Sequence, residues 1–250
     1  MPHVMIDGHR IHYRERGRGP LLLLLHGNTA SSVYHAGEID HFGSRYRVVA
    51  PDLLGTGGSD RVAIWADDWW AQGARHAAAL MELLGESQCL VMGTSGGAVA
   101  ALWMAILYPD RVRAVIADSV GERMVLERIR QEIVSRAQRT PGQVAFWSGA
   151  HGEDWEQVVD ADSALLLRAA ERGGDWWDGR LSEVRCPVLL TVSRADDLLP
   201  DVVEQAQRIA SQVPNITLHV GDEGTHPYIW SQAEAFRAVA NEFLDGLTDG

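Results

Sequence analysis

Cysteine is scarce: Cys89 and Cys186 are the two in 250 residues. Their spacing suits neither metal nor redox work, and both fall where strands are expected to begin, so they read as buried free thiols in a reducing compartment. Long hydrophobic runs are missing as well. The longest aliphatic stretch, Leu21 to Leu25, is far short of the roughly 20 residues a membrane helix needs. Residues 1–18 mix His, Arg, Asp and Glu and hold no apolar segment of the signal-peptide kind, so a cytoplasmic protein is expected. Positive charge is outweighed, with 22 Lys and Arg against 34 Asp and Glu and a formal net charge of -12. Nucleic acid and anionic membranes would repel such a chain, which excludes them as natural partners. Internal repeats and low-complexity tracts are absent, and nothing sets an oligomeric state.

What remains is an ordinary globular composition, 46% hydrophobic and 22% charged, long enough to bury a full core. One α/β domain with an insertion is the natural expectation. Residues 4–6 and 11–13 flank Asp7-Gly8, a two-residue hairpin signal, so the chain starts as an antiparallel ribbon. Residues 21–25, 48–50, 89–92, 112–117, 188–193 and 216–220 are short apolar runs of the kind buried in a parallel sheet. Helical spacing marks residues 67–84, 98–107, 201–213 and 231–247 between and after them. Gly55 and Gly57 suggest a dinucleotide loop only superficially: the third glycine is missing and no apolar helix follows at once, so this stretch reads as a tight turn. From 120 to 183 the alternation lapses. A charged amphipathic helix over 123–139, a break at Pro141-Gly142 and scattered aromatics predict a small helical cap over the sheet edge. Four of the nine tryptophans lie there, and Trp147, Trp155 and Trp176 are candidate pocket residues, with gluing the cap down as the other reading.

The chemistry centres on residues 88–108, an apolar strand and an Ala/Leu/Met-rich helix joined by Gly93-Thr94-Ser95-Gly96-Gly97. This fits Gly-x-Ser-x-Gly. A strand reversing directly into a helix has no room for side chains beside the turn residue, so glycines flank it and Ser95 sits strained and exposed at the C-terminal edge of the sheet. The free N–H groups of the helix start point at the same spot, and that of Gly96 can hold an oxyanion. A serine hydroxyl needs a base, and the base needs a partner to fix its tautomer. His226 follows a late strand and precedes the final helix, and Asp196 follows the strand before it. Asp197 and Asp118 are rival acids. His26 ends the first buried strand and is expected to shape its loop, while the N–H of Asn28 is best placed as the second oxyanion donor. His219, within a strand, reads as structural.

These residues resemble the α/β-hydrolase-fold serine hydrolases along the whole chain: His26-Gly27-Asn28, Asp52 with Gly55, Gly57 and Ser59, Gly93 to Gly97, Tyr108 to Val112, Asp196 with Pro200, and Gly224-Thr225-His226. Within that superfamily the run Gly93 to Gly97 is most similar to small esterases of the valacyclovir hydrolase type, which carry an aspartate where this chain has Gly96. The loop His26 to Ser32 also resembles that of haloalkane dehalogenases, whose nucleophile is an aspartate where this chain has Ser95. The resemblance implies a mostly parallel twisted sheet with helices on both faces, a core of residues 1–119 and 184–250, and a cap of 120–183. It implies hydrolysis of small-molecule esters, lactones or amides by Ser95, His226 and Asp196 with no metal or organic cofactor. Perhydrolysis or lyase chemistry on the same triad, and a catalytically silent ligand-binding protein, are the alternatives.

Overall fold

Five consecutive leucines form the strand β3 (Leu21–Leu25), and every one is buried. Side chains alternate across a strand, so Leu21, Leu23 and Leu25 join one apolar core and Leu22 and Leu24 another on the opposite face. This two-sided burial makes β3 a central strand. The computed structural model, which describes residues 2–247, places it in an eight-stranded sheet of order β1-β2-β4-β3-β5-β6-β7-β8. The other strands are β1 (His3–Ile6), β2 (His9–Arg16), β4 (Arg47–Pro51), β5 (Cys89–Thr94), β6 (Val112–Asp118), β7 (Val188–Ser193) and β8 (Ile216–Gly221). The expected ribbon of β1 and β2 is antiparallel and joins β4 antiparallel; from β4 to β8 all pairings are parallel. Because these strands run the same way, the loops after β3, β5, β7 and β8 share one rim of the sheet.

Helices cover both faces. On the face of Leu23 lie α2 (Trp69–Leu83), α3 (Gly96–Leu107) and α7 (Val202–Gln212); on the face of Leu22 lie α1 (Ala36–Phe42), α8 (Tyr228–Ser231) and α9 (Ala233–Gly246). The periodicity of the sequence misses α1, a two-turn helix following a 3-10 turn at Ser32–His35 and carrying three buried residues, too short to show a repeat. Between β6 and β7 come α4 (Leu126–Ala137), α5 (Pro141–His151) and α6 (Trp155–Glu171). The helix expected over 123–139 is shorter for a local reason. The N–H of Arg123 donates to the Gln205 side chain and that of Met124 to Gly174, while Arg139 adopts a left-handed φ of 48° beyond its end. Thr140 then caps α5 reciprocally with Gln143, and Pro141 fills the first helical position. Among the described residues no helix is long and apolar enough to cross a membrane.

Candidate active site

β5 stops and α3 begins within one residue. Ser95 takes up the reversal with φ 52° and ψ -122°, a conformation L residues rarely adopt. Packing explains the flanking glycines. A Cβ on Gly97 would lie 2.1 Å from the Leu25 carbonyl oxygen, and one on Gly93 would lie 2.2 Å from that of Gly97. The Ser95 N–H donates to the Asp118 carbonyl at 2.8 Å, tying the turn to β6. Gly96 opens α3, so its N–H has no carbonyl one turn back to donate to.

From 131 residues away in the chain, His226 brings its Nε2 to 3.0 Å from Ser95 Oγ, and its Nδ1 donates to Asp196 Oδ2 at 2.8 Å. Asp196 is fixed in turn: its Oδ1 accepts from the N–H groups of Leu198 (2.9 Å) and Leu199 (2.8 Å). Burial works to raise the Asp196 carboxyl, but the bond and charge of His226 and the two N–H donors outweigh it and hold the group below its ordinary value. The rival acids have other partners. Asp197 accepts from the backbone N–H of His226 at 3.0 Å. Asp118 accepts from Thr191 Oγ1 (2.6 Å), Thr94 Oγ1 (3.0 Å) and the Ile229 N–H (3.2 Å), knitting β5, β7 and the segment after His226 together.

The loop after β3 lies alongside. A Cβ on Gly27 would come within 3.1 Å of Ser95 Cβ and 3.2 Å of the Thr94 carbonyl oxygen, a tighter fit than ordinary side-chain contact, so glycine favours the approach. His26 shapes this loop as expected: buried and uncharged, it donates from Nδ1 to Gly27 and accepts at Nε2 from the Leu53 N–H. The turn after β4 is held by the Asp52 carboxylate, which accepts from the N–H groups of Ser32 and Gly58 and from His12 Nδ1. A Cβ on Gly57 would fall on that carboxylate, 2.2 Å from Oδ2, a packing role in place of phosphate binding. His219, too, has a local partner, lying 3.3 Å from Tyr228 Oη.

Ser95 and His226 open into a cavity of about 450 Å³, walled by Asn28, Val99, Met124, Ile129, Trp176 and Trp230 among others. Trp176 is thus at the cavity, as the sequence suggests. Trp147 and Trp155 are a correction: they stack on each other at 5.6 Å with the Arg139 guanidinium over both rings, outside the cavity wall, and glue α5 to α6. Phe146 takes the wall position in their place, one residue before Trp147 and so about 100° around α5. Reasoning from the sequence also misses Trp230, Trp70 and Asp162, polar or aromatic residues in helices with no motif to mark them. Trp70 is buried against Trp69, and its Nε1 donates to Asn28 Oδ1 at 3.2 Å. Among the described residues no group of three or more His, Cys, Asp or Glu is arranged to hold a metal ion.

Comparison with known proteins agrees with this architecture. Residues 20–153 match the alpha/beta hydrolase fold family. The chain is similar to the 2-hydroxymuconate semialdehyde hydrolase of Pseudomonas putida, 36% identical over 271 residues that cover 96% of this chain and 92% of that one. It is 24% identical to the 2-hydroxy-6-oxo-6-phenylhexa-2,4-dienoate hydrolase of Burkholderia cepacia, covering 96% and 92%. The crystal structure of the enol-lactonase from Burkholderia xenovorans LB400 shares its fold, with a TM-score of 0.78 at 17% identity over 98% of this chain and 100% of that one.

Proposed function

Since this chain is a hydrolase that belongs to the α/β-hydrolase family, we propose that it cleaves carboxylic esters of small molecules through an acyl-enzyme on Ser95, with lactones and amides open to the same chemistry. His226 takes the proton from Ser95 Oγ as the oxygen attacks the substrate carbonyl, and Asp196 holds the ring in the tautomer that leaves Nε2 free to accept. The N–H groups of Asn28 and Gly96 receive the oxyanion. His226 then returns the proton to the leaving alcohol, and a water activated by the same ring releases the acid. Every step uses groups of the chain itself. What supports this reading is the unbroken line from Asp196 through His226 to Ser95, with bonds of 2.8 and 3.0 Å ending at the cavity.

Gly96 bears on the substrate. In amino-acid esterases of the type the sequence resembles, a carboxylate at this place receives an ammonium group. Here the place has no side chain, and the Asn28 carboxamide fills the space. Neutral or anionic acyl groups therefore fit better than amino-acid esters. A second reading, favoured by the relative named for 2-hydroxymuconate semialdehyde, is that the same serine unit hydrolyses a carboxylate-bearing compound of that kind. Arg123 and Arg128 line the cavity in a molecule of net charge -12, while Arg136, also at its wall, is paired with Glu132 and Asp162. Such a lining attracts an anion.

Fluorophosphonate labelling combined with p-nitrophenyl ester turnover is the test. Wild type is expected to label stoichiometrically and lose turnover in step, while Ser95→Ala does neither; equal labelling of the two proteins, or none of wild type, removes the reading. Comparing p-nitrophenyl butyrate with the p-nitrophenyl monoester of succinate separates the readings by a KM preference for the charged substrate.

A further inference from the structure

A second charged unit lies in the segment between β6 and β7. Asp162 of α6 is wholly buried, and its Oδ2 accepts from Arg136 Nη1 of α4 at 2.6 Å. Arg136 is 7% exposed and also donates from Nε to Glu132 at 3.0 Å. A pair of this sort contributes little net stability, because stripping both charges of water offsets most of their attraction, and apolar side chains of the same volume commonly serve as well. The other oxygen of Asp162 shows a use for it.

Asp162 Oδ1 accepts from the carboxamide Nδ2 of Asn28 at 2.5 Å, across 134 residues of chain. Asn28 Oδ1 accepts from Trp70 Nε1, so both ends of the amide are engaged and its orientation is set: nitrogen toward the carboxylate, oxygen toward the indole. This amide is pressed onto the residue after the nucleophile. A Cβ on Gly96 would lie 1.6 Å from Asn28 Oδ1 and 3.2 Å from the Asn28 backbone nitrogen. Displacing the Asn28 side chain therefore alters the spacing between the two backbones whose N–H groups face the reacting carbonyl. The outer part of the same loop is tied to α5 by His151 Nε2 donating to Thr29 (3.0 Å), Ser31 Oγ donating to Ala150 (3.0 Å) and Tyr34 Oη donating to Phe146 (2.8 Å). Of these bonds from the helices between β6 and β7, the one to Asp162 reaches Asn28 itself, whose N–H is the proposed oxyanion donor.

Resting on the acyl-enzyme reading above, we propose that Asp162, held by Arg136, is a positioning residue for the oxyanion hole, acting through the Asn28 carboxamide to set the distance between the N–H groups of Asn28 and Gly96. The helices between β6 and β7 then have two roles: they wall the cavity, and they brace the catalytic loop against α3.

Asp162→Asn and Asn28→Ala, singly and combined, test this. For p-nitrophenyl butyrate each single variant is expected to lose roughly 10- to 100-fold in kcat, the range of a misplaced oxyanion donor, with KM within about 3-fold of wild type. Affinity for a trifluoromethyl ketone, whose serine adduct carries an oxyanion, should fall by the same factor as kcat, while affinity for butyrate stays put. Because Asp162 acts through Asn28, the double variant should be no slower than the slower single variant. Additive losses, a KM rise matching the kcat loss, or unchanged ketone affinity overturn the proposal. If Asp162→Asn does not fold, Asn28→Ala decides alone: wild-type kcat in that variant refutes it. Failure of wild type to form the ketone adduct on Ser95 removes the acyl-enzyme reading and this proposal together, whereas adduct formation with variants indistinguishable from wild type removes the proposal alone.

Discussion

His226 has one bond to each of two aspartates, and they divide the work. Asp196 holds the ring through Nδ1, and Asp197 holds the backbone N–H of the same residue. Adjacent carboxylates with different partners predict different losses. Asp196→Asn keeps the shape but allows the amide to face Nδ1 with an N–H, which turns the ring to the tautomer that cannot accept from Ser95. Ester turnover should fall on the order of 10⁴-fold with the fold intact. Asp197→Asn keeps an oxygen for the His226 N–H and should cost less than about 10-fold. Steady-state kinetics with circular dichroism as the folding control separates the two, and equal losses would place the acid elsewhere. Asp118 does not compete for the ring, since its carboxylate is spent on Thr94, Thr191 and the Ile229 N–H.

The strand–turn–helix from β5 to α3 was legible because each of its constraints is local. An apolar run of strand length, glycines where a Cβ would strike backbone, and an Ala-rich helix stopping at Pro109 all lie within a few residues of one another. Gly97→Ala is predicted to destabilise the protein by more than about 4 kcal/mol, since the new methyl would meet the carbonyls of Leu25 and His26 at 2.1 and 2.6 Å and backbone cannot yield. Gly85→Ala, at φ 79° with nothing within 4 Å, should cost only about 1–2 kcal/mol, the left-handed penalty alone. Urea unfolding of both variants checks the contrast. The pocket wall was not legible for the opposite reason. Whether Phe146 or its neighbour Trp147 faces the cavity depends on how α5 is rotated against α6, where Arg139 lies over Trp147 and Trp155 from outside the helix. Asp162 was invisible for the same cause: one of four acids in an amphipathic helix, it reads as solvent-facing like Asp160 until its partners on α4 and the loop after β3 are in place.

Across the whole molecule, several buried histidines are kept uncharged, and their titration sets the response to acid. Burial, with no hydrogen-bond partner among the described residues on either ring nitrogen and Glu38 no nearer than 3.9 Å, pushes His35 down to about 3. Burial pushes His151 down to about 4, its bond to Thr29 only partly opposing this. Unfolded, each returns to its ordinary value of 6.5. The unfolded chain therefore binds more protons below that value, so the stability these rings permit is complete above pH 6.5 and is lost as pH falls toward their folded values. Asp118 works the other way, since burial raises it from 3.8 to about 6, and the stability tied to it increases as pH falls through 6. Between pH 6.5 and 5 the two histidines each cost on the order of 1 to 2 kcal/mol and Asp118 returns on the order of 1 kcal/mol, so acid destabilises on balance. His26 and His76, also lowered by burial, add in the same direction. Replacing His35 by Leu removes one ring from this sum. The variant should lose about 2 kcal/mol less unfolding free energy than wild type between pH 7 and 5, measured by urea titration at each pH, and parallel losses in the two proteins would mean that His35 is protonated in the fold.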